Sequence, residues 1–185
     1  HTATGLSAGL YTVIVTDNNG CITTENFTIT EADELIIVSS QTMVSCFGGN
    51  DGTATVTPSG GTPGYTYLWS DGQTTQTATN LSAGLYTVIV TDNNGCDTTI
   101  NFTITEPDEL LVASSQTIVS CFAGNDATAT VNPSGGTPGY TYLWSDGQTT
   151  ATATSLASGI YSCTITDDNG CDTTINFTIT EPDEL

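Results

Sequence analysis

The sequence has no lysine and no arginine, and its one histidine is His1. Against these stand 20 aspartates and glutamates, giving a formal net charge of -20 at pH 7. With no cation to displace counterions from phosphates, nucleic-acid binding is excluded. Side-chain salt bridges are excluded apart from any made by His1, as are Lys–Asn isopeptide cross-links, and trypsin has no site to cut. No Ser–His or Cys–His pair can form within the body of the chain, and no lysine is present to act as base or nucleophile. Paired carboxylates such as Asp167-Asp168 fall in turn signals, where solvated charge is their ordinary role. The chain is therefore expected not to be an enzyme. Membrane-length apolar runs are also missing, so direct membrane insertion is not expected of this segment.

What is abundant is threonine, together with 19 glycines. Good helix formers are scarce. Such a composition fits an extracellular β protein with a soluble, self-repelling surface that can gather divalent cations.

The dominant feature is a repeat. Residues 36–110 and 111–185 align without a gap at 58 of 75 positions, and residues 1–35 match 76–110 at 30 of 35. The expected organisation is the last part of one module (1–35), followed by two complete modules (36–110 and 111–185). The opening at mid-module reads as a window cut from a longer repeat protein.

Within a module the apolar pattern has period two. Strands are expected at Leu35–Val44, Thr53–Thr57, Tyr65–Trp69, Thr75–Leu81, Leu85–Thr91 and Thr98–Thr105. Turn chemistry separates them: Gly48–Gly52, Ser59–Gly64, Ser70–Gln73 and the strong hairpin signal Asp92-Asn93-Asn94-Gly95. Tyr86, Val88 and Val90 should face inward, whereas Thr87, Ile89 and Thr91 should face outward. The second copy agrees, because Ile89 becomes Thr164 while Val88 and Val90 become the still apolar Cys163 and Ile165. A tryptophan on the third strand and a tyrosine-corner pattern at Leu81–Tyr86 point to an all-β, immunoglobulin-like sandwich.

The runs Val44-Ser45-Cys46-Phe47-Gly48-Gly49-Asn50-Asp51-Gly52, Gly60–Trp69, and Gly84-Leu85-Tyr86 to Gly95-Cys96 resemble the SprB-type repeat. That repeat belongs to very large surface adhesins of gliding Bacteroidetes, and its fold is similar to the PKD-type sandwich. The resemblance implies type IX export, display on the bacterial cell surface, and a role in adhesion or gliding. Tandem sandwiches in an extended array, serving as a stalk, are the expected architecture. Neighbouring modules are the expected partners, with surface polysaccharide or like fibres as further ones.

Five of the six cysteines fall on the 75-residue lattice, as two series 50 residues apart within a module. Two cysteines and no histidine per module make a poor zinc set. One disulfide per module, Cys46–Cys96 and Cys121–Cys171, is the expectation, leaving Cys21 and the inward-facing Cys163 unpaired. A bridge from Cys96 to Cys121 is set aside, because in an extended array those residues lie beyond the reach of a disulfide. The within-module bridge carries a tension. It places both cysteine turns at one end, as six strand passes would, whereas an extended array favours seven. At the level of sequence both counts stay open, with a short extra strand at Gly72–Gln76, or a first strand that bends near Ser39-Ser40, as ways to reconcile them.

No cofactor is required. Asp51, Asp92, Asp126 and Asp167 in the turns, with Glu106, Asp108 and Glu109 at the module junction, are candidate Ca²⁺ ligands, although no stretch fits an EF-hand loop and plain turn formation explains them equally. Phe47 and Phe122, in glycine-containing loops, are the candidate ligand-binding aromatics.

Overall fold

The computed structural model describes residues 1–184, and among them the secondary structure is fourteen strands with no helix. In chain order these are β1 (Gly9–Thr16), β2 (Ile22–Ile29), β3 (Asp33–Thr42), β4 (Gly52–Gly61), β5 (Thr66–Trp69), β6 (Thr77–Leu81), β7 (Gly84–Thr91) and β8 (Asp97–Ile104), followed by β9 (Leu111–Gln116), β10 (Ala127–Ser134), β11 (Thr141–Trp144), β12 (Thr152–Leu156), β13 (Gly159–Thr166) and β14 (Asp172–Ile179). The chain divides into two compact units. One comprises His1–Ser39, Val56–Gln76 and Val88–Ile100; the other comprises Ser40–Thr55, Thr77–Thr87 and Asn101–Leu185.

Residues 111–184 lie wholly in the second unit and form a complete immunoglobulin-like sandwich. One sheet has the order β12-β10-β9 and the other β11-β13-β14. Alternation along each strand sends Ala129, Val131, Trp144, Ala153, Leu156, Cys163, Ile165, Phe177 and Ile179 into the space between the sheets, where all are buried. Trp144 and Phe177 meet with ring centroids 5.2 Å apart, and the indole N–H donates to the Thr150 carbonyl at 2.8 Å. The core thus gains a large apolar side chain without an orphaned donor. The tyrosine corner is present, with Tyr161 Oη donating to the Ala157 carbonyl at 3.3 Å, as Tyr86 does to Ser82 at 3.2 Å.

The preceding copy repeats the pattern with sheets β3-β4-β6 and β5-β7-β8. Its expected facing is observed. Val88 and Val90 are fully buried, Leu85 is exposed, and Trp69 is buried with its indole N–H on the Thr75 carbonyl at 2.8 Å. The strand expected to stop at Thr57 runs on to Gly61, because its edge pairs with the incoming strand; in the later copy Pro133 stands opposite Val112. Gly135 and Gly136 then close the loop with positive φ of 74° and 57°. A Cβ on the first would collide with the Glu109 carbonyl oxygen, and one on the second with the Asp167 carboxylate.

Strand direction decides where the two ends of a copy lie. β10 is antiparallel to both β9 and β12, and β13 is antiparallel to both β11 and β14. A tight turn joins β12 to β13, so β9, β11, β12 and β14 all run one way. The chain must therefore travel back between Trp144 and Thr152. It does so without forming a strand, held by the Ala151 carbonyl accepting from Val131 N–H at 2.9 Å. Six strands thus make seven passes. The copy enters at one end and leaves at the other, and the extra strand considered at Gly72–Gln76 is not formed.

Candidate functional site

Seven passes separate the two cysteine series. The loop holding Cys121 sits beside the exit of β14, because Val119 N–H donates to the Thr180 carbonyl at 2.9 Å. Cys171 precedes the first residue of β14, eight strand residues away, or roughly 26 Å at 3.3 Å per residue. A bridge tolerates a Cα separation of only about 7 Å. The same placement holds one copy earlier, where Val44 N–H meets the Thr105 carbonyl at 3.0 Å beyond β8, while Cys96 precedes that strand.

The expected pairs Cys46–Cys96 and Cys121–Cys171 are accordingly replaced. Cys46 is bonded to Cys171, with Cα atoms 5.7 Å apart across 125 residues of sequence. The exit loop of one copy is thereby tied to the entry turn of the next. Cys96, Cys121 and Cys21 are free and exposed, and Cys163 is free and buried, where desolvation pushes its thiol pKa up.

Both partners are held by carboxylates. In the entry turn, Asp167 accepts backbone N–H bonds from Thr137 (2.8 Å), Asn169 (3.0 Å) and Cys171 (2.8 Å). The Thr137 bond is the largest cause holding its pKa below the ordinary value. Asp92 does the same for Thr62, Asn94 and Cys96. In the exit loop, Asp51 accepts from Ser45 N–H at 2.9 Å and from the Ser45 hydroxyl at 2.5 Å, while Glu106 accepts from Gly48 N–H at 2.6 Å. Asp126 takes Ser120 in the same way, and Glu181 takes Ala123 N–H at 2.7 Å. The serine hydroxyl is the largest cause lowering the pKa of Asp51 and Asp126.

Around the bridge, Asn169 Nδ2 donates to the Ser45 carbonyl at 3.0 Å, so the joint carries a polar contact as well as a covalent one. A cavity of about 410 Å³ adjoins it, lined among others by Cys46, Phe47, Asp108, Glu109, Asp167 and Cys171. Phe47 remains half exposed there. Of the candidate calcium ligands, Asp108, Glu109 and Asp167 line this cavity. Asp51 and Asp126 accept within their own loops, Asp92 and Asp167 also hold the Thr62 and Thr137 loops, and Glu106 holds the Cys46 loop; among the described residues no group of three or more His, Cys, Asp or Glu is arranged to hold a metal ion.

The SprB repeat family matches residues 38–74 and 113–149, the stretches that contain each exit loop and each core tryptophan. Each of the two complete copies thus contains one stretch similar to an SprB repeat. An SprB repeat is a structural, non-catalytic domain type associated with surface-exposed proteins. No curated protein matches the sequence. Among solved structures, the chain is similar to Drosophila OTK extracellular domains 3–5, with 16% identity, TM-score 0.40, and coverage of 95% of this chain and 72% of that one. It is also similar to the N-terminal four Ig domains of Dscam1 isoform 9.44 (11% identity, TM-score 0.38) and to the amphioxus IgVJ-C2 molecule (15% identity, TM-score 0.33). Coverage is 89% of this chain and 51% of the Dscam1 chain, and 77% and 96% for the amphioxus molecule. The chain thus spans about half the length of the Dscam1 structure it matches.

The cysteine partner is what sequence reasoning missed. The signal that could have found it is the threonine- and glutamine-rich Gly72–Gln76 stretch, too short and too polar for a strand yet long enough to carry the chain back.

Proposed function

We propose that this segment is a non-catalytic, load-bearing spacer in a secreted cell-surface adhesin, with SprB repeats in series holding an adhesive part away from the cell. The observation that carries this reading is the Cys46–Cys171 bridge, which ties consecutive copies across their junction. A bridge in that position shields from pulling force the 125-residue span it closes. A chain without basic residues also offers nothing to trypsin-like proteases. Export to an oxidising surface compartment accords with a structural disulfide, and the repeat family accords with adhesion or gliding. The modules are taken to be residues 36–110 and 111–185, with 1–35 the end of another.

Pulling the chain by its ends tests this. With the bridge intact, stretching should stop short of full contour length. Adding reductant should then release 125 residues, roughly 440 Å at about 3.5 Å per residue. Full extension without reductant would overturn the load-bearing role. A polysaccharide-binding reading has one observation in its favour, the half-exposed rings of Phe47 and Phe122. It requires glycan-array binding that Phe122→Ala abolishes.

A further inference from the structure

The loop around Cys121 is the 75-residue counterpart of the loop around Cys46 and keeps its Ser, Cys, Phe, Gly, Asn and Asp, with Ala123 and Ala127 in place of Gly48 and Gly52. Ser120, Cys121, Phe122, Pro182, Asp183 and Glu184 line a cavity of about 510 Å³. At the bridged joint the same positions are Ser45, Cys46, Phe47, Pro107, Asp108 and Glu109. The two loops share a left-handed residue, Gly48 at φ 69° and Ala123 at φ 56°. Gly124 N–H donates to the Cys121 carbonyl at 2.9 Å, as Gly49 does to Cys46, and the aspartate–serine and glutamate–backbone contacts recur. One surface carries the Asp167–Cys171 turn of the following copy; the other presents an exposed thiol and a half-exposed phenylalanine.

We propose that Cys121 and this surface form a docking and cross-linking site for the Asp-x-Asn-Gly-Cys turn of a further SprB repeat. The occupant is argued from the copy that already has one. The turn seated against Cys46 is Asp167-Asp168-Asn169-Gly170-Cys171, and its relatives Asp92–Cys96 and Asp17–Cys21 show that the same cysteine-bearing turn recurs at every copy. The Ser120 carbonyl stands where the Ser45 carbonyl accepts from Asn169. The chemistry is thiol–disulfide exchange with a small disulfide oxidant such as oxidised glutathione. The Cys121 thiol and the incoming thiol lose two protons and two electrons and form one S–S bond, while the oxidant's S–S bond is reduced to two thiols. Each repeat thus contributes its exit cysteine forward and its entry cysteine backward, and bridges of 125-residue span overlap along an array.

The test extends the full chain at its C-terminus by one more copy of residues 111–185, oxidised in a glutathione redox buffer. Peptides are mapped by mass spectrometry after cleavage at acidic residues. The expected map contains Cys46–Cys171 together with a new bridge from Cys121 to the added copy's counterpart of Cys171. Cys121 should then resist alkylation, at least tenfold more slowly labelled than in the unextended chain. A Cys121 that stays alkylatable, carries only glutathione, or bonds to Cys171 overturns the proposal. Protection of the buried Cys163 from alkylation reports that the core has folded. In Cys121→Ser of the extended chain, the added copy's thiol should become alkylatable with Cys46–Cys171 unchanged. The map reads bond chemistry in solution, so its failure is distinguishable from a failure of the load-bearing reading.

Discussion

The hairpins Gly9–Ile29 and Gly159–Ile179 pair residue for residue in the same register, yet only one of them is a wall of a core. Val13, Val15 and Phe27 are about half exposed, whereas their counterparts Cys163, Ile165 and Phe177 are buried. The difference lies opposite the hairpin. The later one faces Ala129, Val131, Ala153 and Leu156 across the sandwich, and among the described residues no such sheet covers the first, whose side chains are exposed throughout apart from a half-buried Tyr11. The first hairpin keeps its strands, register and tyrosine corner without that cover, and Tyr11 Oη still donates to the Ser7 carbonyl at 2.9 Å. Burial is the non-local part. The same holds at the turn, where Asp17 accepts from Asn19 and Cys21 but Asp167 adds Thr137.

Paired substitutions at these equivalent positions sharpen the contrast. The largest effect is expected at the entry cysteine. Cys171→Ser should cost about 5 kcal/mol under oxidising conditions, from loss of a cross-link closing a long loop, and nothing under reducing ones. Cys21→Ser should be silent in both, by urea unfolding. Next comes the core ring. Phe177→Ala should cost about 3–5 kcal/mol, while Phe27→Ala should stay within about 0.5 kcal/mol; equal costs would mean the first hairpin is packed after all.

The acidic turns give a third contrast. Asp167→Ala strands three backbone donors and should lower Tm by roughly 5–10 °C, and Asp17→Ala by clearly less, in calorimetry. The pH dependence has a definite sign. Asp167 and Asp92 have pKa values lowered below the ordinary 3.8 by folding. Their stabilisation is therefore complete above that value and is lost as pH falls through the folded one. Asp167→Asn should flatten the acid limb of the stability curve; an unchanged acid limb would remove that carboxylate from the account. The smallest effect is expected at Cys163→Val, which restores the residue found at Val88 and should change stability by less than about 1.5 kcal/mol.

The strands, their facing, the buried tryptophans and the acidic turns were legible because each follows from period-two patterning or from turn chemistry within a few residues. The cysteine partner was not, for a physical reason. A 75-residue lattice fixes a partner only to within whole repeats, and separations of 50 and 125 residues differ by one repeat. Choosing between them needs the number of passes per copy. That number depends on Ser145–Ala151, a return stretch with one backbone bond to β10 and no alternation to betray it. Strand parity, not cysteine spacing, decides whether a repeat staples itself or its neighbour.

The most direct test is a disulfide map of the oxidised 185-residue chain, cleaved at its acidic residues. A peptide joining Cys46 to Cys171, with Cys96 and Cys121 alkylated, is the predicted result. Peptides joining Cys46 to Cys96 and Cys121 to Cys171 would contradict it, and with it the idea that consecutive repeats are tied together.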